Sequence, residues 1–248
     1  MIIKADLHLH SCLSPCGSLE MSPSLIVKTL KQRGVALAAL TDHNTVLNCP
    51  AFAYHCKKEG IAALYGMEAQ TIEEVHVLCL FSGLDTALAF GEEIYGLMPH
   101  IAFNPEKNGD QVYVDENDDI IGELESFLIV SAELSIDELA SRVHKLGGAV
   151  IPAHVERPAF SMVSQLGFIP KGDWDALEAV RLPPEGVDTL GYPLTTSSDA
   201  HYPEHIGRRA FDLDLADAPL KGRGGLCRED GSVDMDIFKQ ALQRRPRL

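Results

Sequence analysis

Asp6-Leu7-His8-Leu9-His10 closes an apolar run that begins at Ile2, and its alternation decides how the rest of the chain reads. A strand has a side-chain period of two, so Asp6, His8 and His10 share one face while Leu7 and Leu9 take the other. Two imidazoles at i and i+2 near a strand end can hold one metal ion. The signature recurs downstream, where short apolar runs meet ligand-type residues. Residues 35–40 run into Thr41-Asp42-His43-Asn44, and 61–67 into Glu68. His76 opens the run that ends at Phe81, 149–152 leads to His154, and 193–196 leads into Ser197-Ser198-Asp199-Ala200-His201.

Helical patterns separate these runs. One covers 22–33, with Ser22 as N-cap, Pro23 in the first turn and Gly34 as the stop. Others cover 51–59, 85–95, 135–146 (Ser135 and Glu138 forming a capping box) and 234–243. Further strands are expected at 75–81, 176–180 and 210–215. The alternation predicts βα units around a parallel sheet, an α/β barrel of the TIM type with about seven strands. Residues 96–126 break the rhythm with Asn104, Pro105, Asn108, Gly109 and the acids Asp115, Glu116, Asp118 and Asp119. They read as an insertion in a single domain spanning 1–248, a hairpin that either covers the barrel mouth or decorates the surface.

In a parallel barrel the C-terminal strand ends meet at one mouth, which would gather His8, His10, His43, Glu68, His76, His154, Asp199 and His201. Any one of these histidines alone is more often a hydrogen-bonded or surface residue than a ligand. Their recurrence at strand ends reverses that balance. His55, His100, His144 and His205 fall outside the pattern and read as structural or surface residues.

At 248 residues and 46% hydrophobic, the chain can bury the core of one large domain. A formal charge of −15 argues against long duplex nucleic acid, which needs many Lys and Arg contacts to phosphate. It leaves room for a small phosphorylated substrate, because bound divalent cations reverse the field locally. No apolar run reaches the roughly 18 residues of a membrane span. The chain opens on a strand without a basic n-region, which points to the cytoplasm. The six cysteines contain no Cys-x-x-Cys pair and read as thiols in a reducing compartment. Oligomeric state leaves no trace in the sequence.

Taken together, His8-Leu9-His10, Thr41-Asp42-His43-Asn44, Glu68, His76, His154 and Ser198-Asp199-Ala200-His201 resemble the motifs of the PHP (polymerase and histidinol phosphatase) superfamily. The resemblance implies a distorted (β/α)7 TIM-like barrel with two to three divalent ions, Zn, Mn or Fe. It implies that His8, His10, Glu68 and Asp199 hold the first ion, and that Glu68, His76 and His154 hold the second. His43, His201 and a residue shortly after the His-x-His pair would hold the third. Family members often carry a histidine at that last position, where this chain has Cys16. Cys16 either ligates as a thiolate, favouring Zn or Fe, or is a thiol beside an unfilled third site.

The expected chemistry is hydrolysis of a phosphate ester, on a small phosphomonoester, nucleotide or short oligonucleotide, by a metal-bound hydroxide at a multinuclear site. Asp199 and His201 are the candidates for proton transfer, and Asp6 and Asp42 for orienting ligands from behind. Arg157 and Arg208 either contact the phosphate or form surface ion pairs. Two other classes compete. A metal-dependent amidohydrolase also starts a barrel with His-x-His and ends with an Asp, yet no strand-end Lys stands ready for a carboxylated bridge. A non-catalytic metal-binding regulatory domain would place no demand on keeping every ligand.

Overall fold

The computed structural model describes residues 1–216 and 225–245. In chain order the elements are β1 (Ile2–Asp6), α1 (Pro23–Gln32), β2 (Val35–Leu40), α2 (Cys49–Glu59), β3 (Ala62–Gln70), β4 (His76–Phe81) and α3 (Leu84–Gly96). Then come α4 (Pro105–Asn108), β5 (Val112–Val114), β6 (Ile120–Glu123), α5 (Ile136–Lys145), β7 (Ala149–Pro152) and α6 (Met162–Leu166). Last are β8 (Leu177–Glu178), β9 (Leu194–Thr195), β10 (Phe211–Asp214) and α7 (Met235–Leu242). The helix starts have physical causes. Ser22 accepts a hydrogen bond from the Leu25 N–H at α1, and Ser135 with Glu138 forms a complete capping box at α5. Each such cap contributes about 1 kcal/mol.

One curled sheet of order β10-β1-β2-β3-β4-β7 forms most of the wall, and the parallel pair β8–β9 forms the rest. The Asp175 N–H donates to the Val150 carbonyl (2.9 Å) and the Val155 N–H to the Glu178 carbonyl (2.8 Å), joining β7 to β8. Beyond β9, Ala200 bridges Leu9 in parallel, and the His10 N–H donates to the Ala200 carbonyl (3.0 Å). The result is an α/β fold, a distorted TIM-like barrel.

The strands are not uniformly parallel, which corrects the sequence expectation. β1, β2 and β3 run parallel, but β4 is antiparallel to both β3 and β7, and β10 is antiparallel to β1. Only residues 71–75 join β3 to β4, in a turn closed by the Thr71 N–H on the Val75 carbonyl (3.0 Å). A parallel crossover needs a dozen or more residues. Because β4 runs backwards, its first residue, His76, lies where its neighbours' C-terminal ends lie. β3 also extends past Met67 to Gln70, so Glu68 sits inside a strand, opposite Leu78.

The two-residue period sorts the wall into faces. Ala62 and Leu64 of β3, Leu78 and Leu80 of β4, and Ala149 and Ile151 of β7 belong to one core, which Phe238, Ala241 and Leu242 of α7 also join. The opposite face, with Ala63, Met67, Val77, Cys79 and Phe81, packs with Ile26, Phe52, Phe90 and Leu139 of the surrounding helices. Each fully buried leucine contributes about 1.5–3 kcal/mol. Continuing the inward face of β3 two steps past Gly66 gives Glu68, and continuing that of β4 back from Leu78 gives His76. The same periodicity that builds the apolar core thus delivers polar groups to its upper end, where burial demands partners for them.

Residues 96–126 hold α4 and the β5–β6 hairpin. The hairpin is tied to the start of α2 by the Val114 N–H on Asn48 Oδ1 (2.8 Å), and to the start of α1 by the Ser22 hydroxyl on Asp118 (2.8 Å). None of them lines the cavity at the barrel mouth. Among the described residues, no helix is long and apolar enough to cross a membrane.

Candidate metal centre

Glu68 is almost fully buried, and its two oxygens face five imidazoles. Oε1 lies 2.8 Å from His76 Nδ1, 2.9 Å from His154 Nε2 and 3.3 Å from His8 Nε2. Oε2 lies 3.0 Å from His43 Nδ1 and 3.3 Å from His10 Nε2. The His8 and His10 Nε2 atoms are 3.0 Å apart, and each is 3.5 Å from Asp199 Oδ1. His201 stacks on His10 with ring centroids 4.0 Å apart. All the histidines expected at the mouth therefore converge there with Glu68 and Asp199.

The spacing fits divalent cations. Donor atoms about 2.0–2.2 Å from one ion stand about 3.0–3.5 Å from each other. Among the described residues, three donor triads have atoms mutually within 4.8 Å: His8 with His10 and Glu68; His43 with Glu68 and His76; and His10 with His43 and His201. Asp199 Oδ1 is buried without a hydrogen-bond partner, although it faces three ring nitrogens, those of His8, His10 and, at 3.4 Å, His201 Nδ1. Buried polar atoms are rarely left so, and a cation between the donors would satisfy it. His154 (φ 32°), Asp199 (φ 45°) and Asn44 (φ 52°) hold left-handed backbone conformations at the mouth. Such conformations cost about 1–3 kcal/mol each and persist where the surroundings fix them. Cys16 is exposed and lines the cavity with His43 and His201, but it belongs to none of the three triads.

Behind these donors stand residues the sequence reading missed. His8 Nδ1 lies 3.1 Å from Glu178 Oε2, so a buried carboxylate backs the first imidazole. His76 Nε2 lies 3.2 Å from Gln70 Oε1. An amide oxygen only accepts, so it holds the proton on Nε2 and leaves Nδ1 facing Glu68. His10 Nδ1 lies 2.9 Å from the Ser14 hydroxyl, which donates to Asp42 Oδ1 (2.7 Å). Asp42 thus reaches the His10 imidazole through a serine rather than by direct contact. Asp6 touches no ring. It accepts from the Ser198 N–H (2.9 Å) and the Gly207 N–H (3.1 Å), fixing the loop that carries Asp199 and His201. Replacing Glu178 with Ala should leave His8 Nδ1 without a buried partner and weaken metal binding about 10–100-fold. Calorimetric titration of a divalent ion into the metal-stripped variant measures this, and unchanged affinity would remove Glu178 from the account.

The electrostatics follow from burial and charge. Burial alone would lower the His8 pKa, but the charges of Glu178, Glu68 and Asp199 outweigh it and raise it well above the usual imidazole value. Burial resists ionisation of Glu68, yet His76, His8 and His43 hold its carboxyl well below the usual range. His43 is pushed down to about 4 and His201 to about 2, by burial and by cationic neighbours including His10. Against burial, contacts with Asp199 and Glu68 raise the His10 pKa as well, so both imidazoles hold protons more firmly than a free imidazole does. A divalent ion competes with those protons for the same lone pairs.

The centre opens into a cavity of about 380 Å³ lined by Cys16, His43, His76, Asp199 and His201, and by Ile129, Arg157, Phe160, Tyr202, His205 and Arg208 around the rim. Arg157 Nη1 is 3.0 Å from Asp199 Oδ2, so the two oxygens of Asp199 are divided between an arginine and the ligand cluster. Arg208 Nε donates to the Ser198 carbonyl (3.0 Å) while the side chain borders the cavity. His205, read from sequence as structural or surface, also lies on the rim.

A family model described as PHP domain matches residues 6–179. The lesion-specific endonuclease EndoQ from Pyrococcus furiosus superposes with a TM-score of 0.63 at 18% identity, over 98% of this chain and 56% of that one. A chain from Bifidobacterium adolescentis described as a metal-dependent phosphoesterase superposes with a TM-score of 0.56 at 16% identity, over 98% of this chain and 97% of the other. In sequence, the PolC-type DNA polymerase III of Bacillus subtilis is 37% identical over 71 residues, 29% of this chain and 5% of the polymerase. The chain thus spans a small fraction of its polymerase relatives and just over half of the endonuclease.

These likenesses correct one expectation from the sequence, that net charge excludes long duplex nucleic acid. Endonuclease Q, similar in fold with a TM-score of 0.62 at 19% identity, is known in complex with a 27-mer duplex that has an abasic lesion at the active site. This chain covers 57% of that protein, so net charge alone does not set aside a duplex for a chain of this fold. A charge of −15 is a sum over the whole surface, whereas a duplex meets one face. The rim of this mouth carries Arg157 and Arg208.

Proposed function

The chain belongs to the PHP domain family, and from that premise we propose that it is a metal-dependent hydrolase of phosphate esters, which cleaves a small phosphomonoester, a nucleotide or a short oligonucleotide. The observation that carries the reading is Glu68, one buried carboxylate shared among five imidazoles with the unpartnered Asp199 Oδ1 beside them. His8, His10, Glu68 and Asp199 would hold one ion, and Glu68, His76 and His154 a second. His43 and His201, with Cys16 at the rim, would hold a third. Divalent ions in such a centre supply Lewis acidity and an activated water at neutral pH.

The chain's own residues do the rest. Glu68 would serve both sites, and its charge offsets the surrounding imidazolium protons. Asp199 offers Oδ1 to the centre while Arg157 holds Oδ2, which fixes its orientation. Arg157 is about half exposed at the rim, where its remaining N–H groups can meet phosphate oxygens. Arg208 adds a second cation on the same rim. Burial and cationic neighbours push His201 down to about 2, so its neutral ring is suited to binding a cation or accepting a proton from water rather than to donating one to the leaving oxygen.

The amidohydrolase reading lacks its expected bridge, because no lysine lines the cavity among the described residues. The reading is tested by phosphate release from a panel of phosphomonoesters, nucleotides and short single strands, run beside lactams, ureas and a lesion-containing duplex. Turnover confined to phosphate esters supports it. Turnover of an amide substrate alone would overturn it.

A further inference from the structure

Ser14 joins two groups that the site needs and that do not touch each other. Its hydroxyl lies 2.9 Å from His10 Nδ1 and 2.7 Å from Asp42 Oδ1, and it receives the His43 N–H at 3.3 Å. Ser11 completes the cradle around Asp42. The Ser11 N–H donates to Oδ1 (2.7 Å) and the Ser11 hydroxyl to Oδ2 (2.6 Å). The Ser11 hydroxyl in turn accepts from the Asn48 amide (2.8 Å) and the Leu13 N–H (3.2 Å), so its own proton has only Asp42 to go to. Every one of these residues is buried.

Counting protons fixes the direction of each bond. A hydroxyl has one hydrogen to give and two lone pairs to fill. Asp42 Oδ1 already accepts the Ser11 N–H, a role that the hydroxyl oxygen of a protonated acid fills poorly. The 2.7 Å contact between Oδ1 and Ser14 Oγ would be repulsive without a hydrogen between them, so Ser14 donates there. Its two lone pairs then accept the His43 N–H and a proton from His10 Nδ1. His10 is thereby held with Nδ1 protonated and with Nε2 facing His8 Nε2, Glu68 Oε2 and Asp199 Oδ1, where a bound cation would take its lone pair.

We propose that Ser14 is a positioning residue of the metal centre, which fixes the tautomer and ring plane of His10 by relaying the Asp42 carboxylate to His10 Nδ1. The two imidazoles of the His-x-His pair are thus backed differently, His8 by the carboxylate of Glu178 directly and His10 by a neutral hydroxyl. The same hydroxyl grips the His43 backbone, so a single side chain aligns ligands from the ends of two strands. This proposal rests on the reading of the cluster as a metal centre.

The test titrates Zn²⁺ against a competing chelator in wild-type protein and in the Ser14→Ala and Ser14→Thr variants. Ser14→Ala should weaken binding about 10–100-fold, as loss of an outer hydrogen bond to a ligand imidazole does, and Ser14→Thr should restore it to within about threefold. In a His10→Ala background, Ser14→Ala should add little, because the relay then has no imidazole to act on. A purely structural serine would give the same loss in both backgrounds, and that result overturns the proposal. If Ser14→Ala does not fold, proton NMR of the Zn²⁺-loaded wild type decides. A protected Nδ1–H resonance that disappears in His10→Gln supports the relay, and its absence overturns it. Failure of the wild type to bind any divalent ion would instead remove the metal-centre reading itself.

Discussion

Replacing Glu68 with glutamine is expected to reduce phosphate-ester hydrolysis by about 10³-fold or more, because metal polarisation supplies several kcal/mol and each 1.36 kcal/mol is tenfold in rate. The substitution is nearly isosteric, yet it removes the one charge that His8, His10, His43, His76 and His154 all face. It also puts amide hydrogens where a cation or an imidazole proton should sit. Metal content should fall in parallel, while far-UV circular dichroism stays that of the wild type, because the apolar layers of Leu64, Leu78 and Leu80 are untouched. Turnover within a fewfold of wild type would mean that hydrolysis does not pass through this centre.

Removal of metal should lower stability as well as activity. The mouth buries Glu68 and Glu178 among histidines, and a cation that binds only the folded chain shifts unfolding by mass action. At a free ion concentration about 1,000 times the Kd, the gain is about 4 kcal/mol, or roughly 10 °C in Tm for a chain of this length. Thermal scans of chelated protein, with and without added Mn²⁺ or Zn²⁺, measure the shift. A Tm that ignores both the chelator and the ions would show that no ion binds the folded state with useful affinity.

Much of this was written in the local pattern of the chain. The alternation in Asp6–His10, the Ser22 and Ser135 caps and the ligand-type residues at the ends of apolar runs are short-range signals, and each depends on the period of its own element. Connectivity was less legible. Residues 71–75 are too few for a crossover, and counting them would have turned β4 around. That reversal explains why His76 starts its strand while His43 and His154 follow theirs. Glu178 escaped because it stands alone in an apolar strand. Its sequence signal is a single acid flanked by Leu177 and Ala179, which takes on meaning only when β8 closes against β7 and meets His8 Nδ1. Ser11 and Ser14 carry no signal of their own, since serines in a turn after a strand are ordinary turn residues. The route from Asp42 to His10 was not legible, because the intervening hydroxyl comes from a different segment. The field at the mouth could not be read from a total charge, because rim arginines and a bound ion act locally.

The central claim is that the imidazoles around Glu68 form a working metal centre, and one paired measurement addresses it most directly. Protein purified without chelator is analysed for metal content, and phosphate release is followed as the stripped protein is reloaded stepwise with Mn²⁺, Zn²⁺ or Fe²⁺. The account predicts two to three ions per chain at saturation, with turnover absent in stripped protein and rising with occupancy. Well-folded protein that retains no ion, takes none up and releases no phosphate from any ester after loading would contradict it.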